Sequence, residues 1–127
     1  AALGCAQLEQ LSARLERKRR LHEAYCKWFD GFDGVRMLRE PSSGRSNHWL
    51  NALVLDEPDL DTRNAILDRA AESDLMLRPL WDPLHTLPPY AHFPRAPLPE
   101  AERLAARIIN LPSSAHLANG LGCKQLG

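Results

Sequence analysis

Lysine is scarce in this chain. Of sixteen basic residues, thirteen are arginine and three are lysine (Lys18, Lys27 and Lys124). Covalent chemistry that requires a lysine amine beside a reacting group therefore has few places to start. Cysteine is equally thin. Cys5, Cys26 and Cys123 are odd in number, far apart and form no Cys-x-x-Cys, so a disulfide framework is excluded and a reducing cytoplasm is the expected setting. A basic excess is missing too, because sixteen acidic residues cancel the sixteen basic ones and leave a pI of about 7.2. That balance argues against bulk nucleic acid as a partner. No apolar run approaches the roughly 20 residues that span a bilayer, so no membrane partner is expected. The first residues lack the basic stretch and apolar core of a secretory signal. Glycine-rich phosphate loops and Gly-x-Ser-x-Gly are absent. His22 and Cys26 have helical spacing for two metal ligands, but no second pair exists and no metal site is expected.

What is present is ordinary for a folded domain: 127 residues, 44% apolar and 25% charged. Proline is common, and seven of its ten copies fall between Pro79 and Pro99, marking a long stiff loop. Ala2 to Asp30 reads as one helix, with an apolar stripe of Leu8, Leu11, Leu15, Leu21, Tyr25 and Trp28. Glu16 precedes Arg20, and Glu23 precedes Lys27, by four residues, the favourable order for helix pairs. The Arg14–Arg20 basic run is interleaved with Glu9, Glu16 and Glu23, so it reads as a solvated face. A start in Ala-Ala-Leu-Gly without a cap residue is expected of a helix interior, so the chain is read as beginning mid-domain.

Strands are expected at Val35–Leu38, His48–Leu55, Leu75–Leu77 (stopped by Pro79) and Ile108–Leu111. A helix capped by Asp61 or Thr62 runs to Ala71, and another from Pro99 to about Arg107. From Ser113 on the chain is small and polar and is expected to fray. The expected fold is α+β: a long first helix, then a small, mostly antiparallel sheet with helices on one side. The organisation reads as a connecting helix over 1–30, a small α+β domain over 31–115 and a flexible tail over 116–127.

Two clusters carry candidate chemistry. Arg78-Pro79-Leu80-Trp81-Asp82-Pro83-Leu84-His85 joins a forked cation, a flat aromatic face and an imidazole on a rigid loop. It reads as a binding loop, or as Trp81 packing on the sheet with Arg78 paired to an Asp. Arg45-Ser46-Asn47-His48-Trp49-Leu50-Asn51, as a strand, would place Asn47, Trp49 and Asn51 on one face and His48 and Leu50 on the other. Those amides would meet a polar ligand or a neighbouring loop.

Together these segments resemble a known family. Ala1-Ala2-Leu3-Gly4-Cys5-Ala6-Gln7-Leu8, then Ser46 to Asn51, Arg78 to Trp81 with Leu84-His85, and Ile109-Asn110-Leu111-Pro112-Ser113-Ser114 fall in the order of the DegT/DnrJ/EryC1/StrS aminotransferases. The last two are most similar to the branch making bacillosamine- or legionaminic-acid-type sugars. The resemblance covers nearly the whole chain. It implies the C-terminal small domain of a PLP fold type I enzyme, with pyridoxal phosphate (PLP) as cofactor, glutamate as amino donor, a nucleotide-linked 4-keto-sugar as substrate and a homodimeric assembly. It implies no catalytic or cofactor-binding residue in this chain, because the Schiff-base lysine and phosphate-holding residues would lie upstream. No PLP is then expected on this chain alone, and no activity. Asn47, His48, Arg78, Trp81 and His85 match segments on the sugar-nucleotide side. The other class weighed is a non-catalytic module that binds a nucleotide-sugar or a partner subunit.

Overall fold

A computed structural model describes residues 1–120 of the chain. The expected first helix is two: α1 (Ala2–Glu9) and α2 (Leu11–Phe29), broken for one residue at Gln10. No Pro or Gly forces the break. Gln10 N–H falls back on Gln7 O at 3.2 Å, a tightened last turn, and α1 buries none of its residues. Of the stripe predicted from spacing, Leu21 is buried and Tyr25 half-buried, whereas Leu8, Leu11, Leu15 and Trp28 are exposed. Gly31 and Gly34, at φ +90 and +83, make the turn into β1 (Val35–Met37), a conformation other residues enter only with strain.

β2 spans Asn51–Leu55, shorter than the predicted His48–Leu55, because His48 to Leu50 forms an irregular turn instead of strand. α3 (Leu60–Glu72) starts one residue before the predicted cap. Asp59 is the N-cap, and its carboxylate accepts from Asp61 N–H (2.9 Å) and Thr62 N–H (3.1 Å). β3 is the pair Arg78–Pro79, downstream of the predicted strand; Pro79 lies inside it instead of ending it. This is tolerated because β3 is an edge strand. α4 (Pro99–Ala105) has Pro at its first position and Glu100 and Glu102 in its first turn, and β4 (Ile108–Leu111) falls where predicted.

The strand order is β1-β2-β4-β3, antiparallel throughout. The register sets Met37 opposite Leu53, Leu53 opposite Ile109, and Asn51 opposite Leu111, so these side chains share one face. Onto that face pack Tyr25, Cys26 and Phe29 of α2 and Ile66 and Leu67 of α3, which is the predicted one-sided helix layer. Each fully buried apolar side chain there contributes about 1.5–3 kcal/mol. The chain from Ser113 to Gly120, where fraying was expected, is held. Ser113 O accepts from Lys18 Nζ at 2.7 Å, and a 3-10 helix at Ala115–Gly120 buries Ala118. The rest of the expected tail, Lys124 and Cys123 included, lies outside the described residues. Among the described residues no helix is long and apolar enough to cross a membrane, and no group of His, Cys, Asp and Glu is placed to hold a metal.

Candidate functional site

Asn51 is the one polar residue on the core face of β2, and it is 1% exposed. Its amide nitrogen donates to Ser113 Oγ at 3.2 Å, alongside its backbone N–H at 2.8 Å, and Ser113 Oγ donates on to Leu111 O at 2.8 Å. That leaves Asn51 Oδ1 to accept from His22 Nδ1 at 2.9 Å. His22 therefore carries its proton on Nδ1, and its Nε2 faces Cys26 Sγ at 3.4 Å. Burial pushes the Cys26 thiol above its ordinary range, so it is a weak donor and a poor nucleophile.

Above this network sits the turn that replaces the predicted strand. The Asn47 side chain accepts from Trp49 N–H and the Ser46 hydroxyl from His48 N–H, each at 3.0 Å. These local bonds compete with a sheet ladder and explain why β2 starts late. His48 takes a left-handed backbone (φ 47), so the predicted alternation of faces over Asn47 to Asn51 does not form. The His48 ring is 5% exposed and stacks on His22 with centroids 4.3 Å apart. Its Nε2 is the one buried side-chain nitrogen or oxygen among the described residues without a hydrogen bond. Glu40 Oε2 lies 3.9 Å away, an ion-pair distance beyond hydrogen-bond reach. Burial, then the neighbouring His22 and Arg19, hold the His48 imidazole below its ordinary pKa, with Glu40 opposing. Glu40 itself is fixed by Ser46 N–H and by Arg19 at 3.5 Å, and these hold its carboxyl below the usual range.

Lys18, inside the Arg14–Arg20 run read as a solvated face, is instead half-buried. Its ammonium donates to His48 O (3.1 Å), Trp49 O (3.2 Å) and Ser113 O (2.7 Å). Desolvation lowers its pKa.

The predicted site residues divide. Trp81 is brought against Trp49, rings stacked with centroids 6.2 Å apart and 27° between planes, and both indoles are about two-thirds exposed (67% and 65%). Arg78 is exposed, and its guanidinium reaches Met76 Sδ at 3.7 Å; the alternative pairing with an Asp does not occur among the described residues. Asn47 is exposed and, with Arg19 and Arg45, lines a cleft of about 560 Å³. His48 is turned inward. His85 is buried too, its Nε2 2.8 Å from Glu102 Oε1 of α4, so it secures the proline-rich loop. Of the predicted residues, Asn47, Arg78 and Trp81 are thus exposed, and Trp49 joins Trp81. Sequence reading missed Lys18, hidden within the arginine run, and Glu40, which no local pattern marks. A paired Trp49 and Trp81 depends on how the two loops approach, which no spacing encodes.

Comparison with known proteins places the chain. The model of the DegT/DnrJ/EryC1/StrS aminotransferase family matches residues 1–121. EpsN of Bacillus subtilis (strain 168), a candidate pyridoxal phosphate-dependent aminotransferase, is 38% identical over 92% of this chain. GDP-perosamine synthase of Vibrio cholerae is 31% identical over 89% of it. The chain spans 31% of the length of each of these two relatives. A crystal structure of DesI with its TDP-sugar product superposes with a TM-score of 0.80 at 29% identity, covering 94% of this chain and 33% of that one. Fold, motif order and these likenesses agree: the chain belongs to the DegT/DnrJ/EryC1/StrS aminotransferase family.

Proposed function

We propose that this chain is the C-terminal part of a PLP-dependent aminotransferase that aminates a nucleotide-linked 4-keto-sugar in the cytoplasm, and that it supplies one wall of the sugar-nucleotide site. The observation that carries this reading is the exposed Trp49–Trp81 stack on a turn fixed from below, with Arg78 close by in sequence and free of any carboxylate among the described residues. Indole faces suit a nucleobase or the apolar face of a sugar, and a guanidinium fork suits a diphosphate. Asn47 offers an amide at the rim, and His48 and His85 support the turn and the loop from behind. Relatives named for a GDP-linked sugar and solved with a TDP-linked one favour this substrate class.

PLP does not fit the described residues. Lys18 has all three N–H donors engaged, Lys27 is exposed at the rim of an apolar cleft, and Lys124 lies outside the described residues. No step of the reaction is assigned to this chain, and it is expected to be inactive alone. Titration calorimetry with GDP and with TDP tests the reading. Trp81→Ala should weaken binding by about 1–3 kcal/mol, the usual worth of base–aromatic stacking. Arg78→Ala should weaken it further. No heat with either nucleotide would refute it.

The assembly alternative has one observation in its favour: Leu3 and Leu8 of α1 and Leu11 and Leu15 of α2 are exposed. Homodimerisation through this face would appear as concentration-dependent mass in sedimentation, weakened by Leu8→Glu.

A further inference from the structure

We propose that Lys18 is a positioning residue for the Trp49–Trp81 surface: its ammonium holds the His48–Trp49 turn in the one backbone shape that presents Trp49 to Trp81. The inference rests on the substrate-wall reading above for its functional meaning but not for its geometry.

Three carbonyl oxygens from two separate segments converge on Lys18 Nζ, at 3.1 Å from His48, 3.2 Å from Trp49 and 2.7 Å from Ser113. An ammonium has three N–H donors, so its capacity is filled. Two of the acceptors belong to consecutive residues. In an extended strand successive peptide carbonyls point to opposite sides; here His48 sits in the left-handed region (φ 47), a conformation strained for a non-glycine residue. Hydrogen bonds from a charged donor are stronger than neutral ones, and those to His48 and Trp49 offset that strain. The Asx and Ser turns at Asn47 and Ser46 shape the loop locally, but neither ties it to α2. That link is made by Lys18, reinforced by Arg19 Nη2 to Ser46 O at 3.4 Å and by the His22–His48 stack. The third bond, to Ser113, joins the same ammonium to the residue whose hydroxyl receives Asn51 at the start of β2. One side chain of α2 thus fixes the two ends of the sheet strands nearest the Trp49 turn.

The test uses the 127-residue chain and the far-ultraviolet exciton couplet that two stacked indoles produce. Trp81→Phe identifies the couplet by abolishing it, since Trp28 stacks on Phe29 and has no indole neighbour in that pair. Lys18→Met keeps the aliphatic stem and removes the donors. It should cut the couplet several-fold and weaken GDP or TDP binding, while a cooperative thermal transition survives. Lys18→Gln, with two N–H donors, should recover part of the couplet. An undiminished couplet in Lys18→Met would overturn the proposal. So would loss of the whole fold in both variants, because Lys18 would then be holding the domain and not the turn. If the wild-type chain binds neither nucleotide, the substrate-wall reading fails, and the couplet still decides the role of Lys18.

Discussion

Asn51 offers the sharpest stability test. Asn51→Ala removes an amide that accepts from His22 Nδ1 at 2.9 Å and donates to Ser113 Oγ at 3.2 Å. Ser113 keeps its bonds to Asn51 N–H and to Leu111 O, so the damage falls on His22. With both residues nine-tenths buried or more, His22 Nδ1–H loses its acceptor where water does not replace it. An unsatisfied buried donor costs about 1–3 kcal/mol. The small cavity adds about 1 kcal/mol. The variant should therefore lose about 2–4 kcal/mol in urea unfolding, roughly 8–16 °C in Tm for a domain this size. The decisive measurement is the double-mutant cycle with His22→Leu, because removing both partners leaves neither half of this bond unpaired. The double variant should be more stable than the two single losses summed, by about 1–2 kcal/mol. Additivity within about 0.5 kcal/mol would refute the claimed bond.

Further outcomes follow from the same contacts. The folded state holds the buried His48 imidazole below its ordinary pKa, so the unfolded chain binds its proton more readily. Its contribution is complete above pH about 6.5 and is lost as pH falls below that, and His48→Asn, which tolerates the left-handed backbone, should flatten the slope of stability against pH in that window. Asp59→Ala should lower Tm and the helical circular dichroism by removing the α3 cap, an effect that disappears at a pH low enough to protonate Asp59 in the parent. Borohydride reduction of the chain mixed with PLP should leave no stoichiometric adduct on Lys18, read by peptide mass spectrometry; a selective Lys18 adduct would contradict its tripod of carbonyl bonds.

The parts of the fold that were legible are those a local pattern determines. Proline and the acids at Pro99–Glu102 set the start of α4, and the Ile108–Leu111 run, bounded by Pro112, set β4. The Asp59 cap was off by two residues because Asp59, Asp61 and Thr62 are all competent, and the choice depends on where β2 delivers the chain. The His48–Leu50 end of the predicted strand is a turn although Trp, Leu and Val dominate the window, because two short side-chain bonds and Lys18, thirty residues from His48, shape it instead. Within the proposed site, Arg78 and Trp81 stand out in the sequence as residue types suited to a ligand, and both are exposed. That His48 and His85 face inward was not legible, since an imidazole is equally at home stacked, ion-paired or open to solvent.

Pro79 has a consequence at the margin of the sheet. The strand it completes is two residues long and has no amide hydrogen at that position to offer a newcomer. Lateral growth on that flank is discouraged, and a visiting extended segment would find its hydrogen-bonding edge along Val35–Met37 instead.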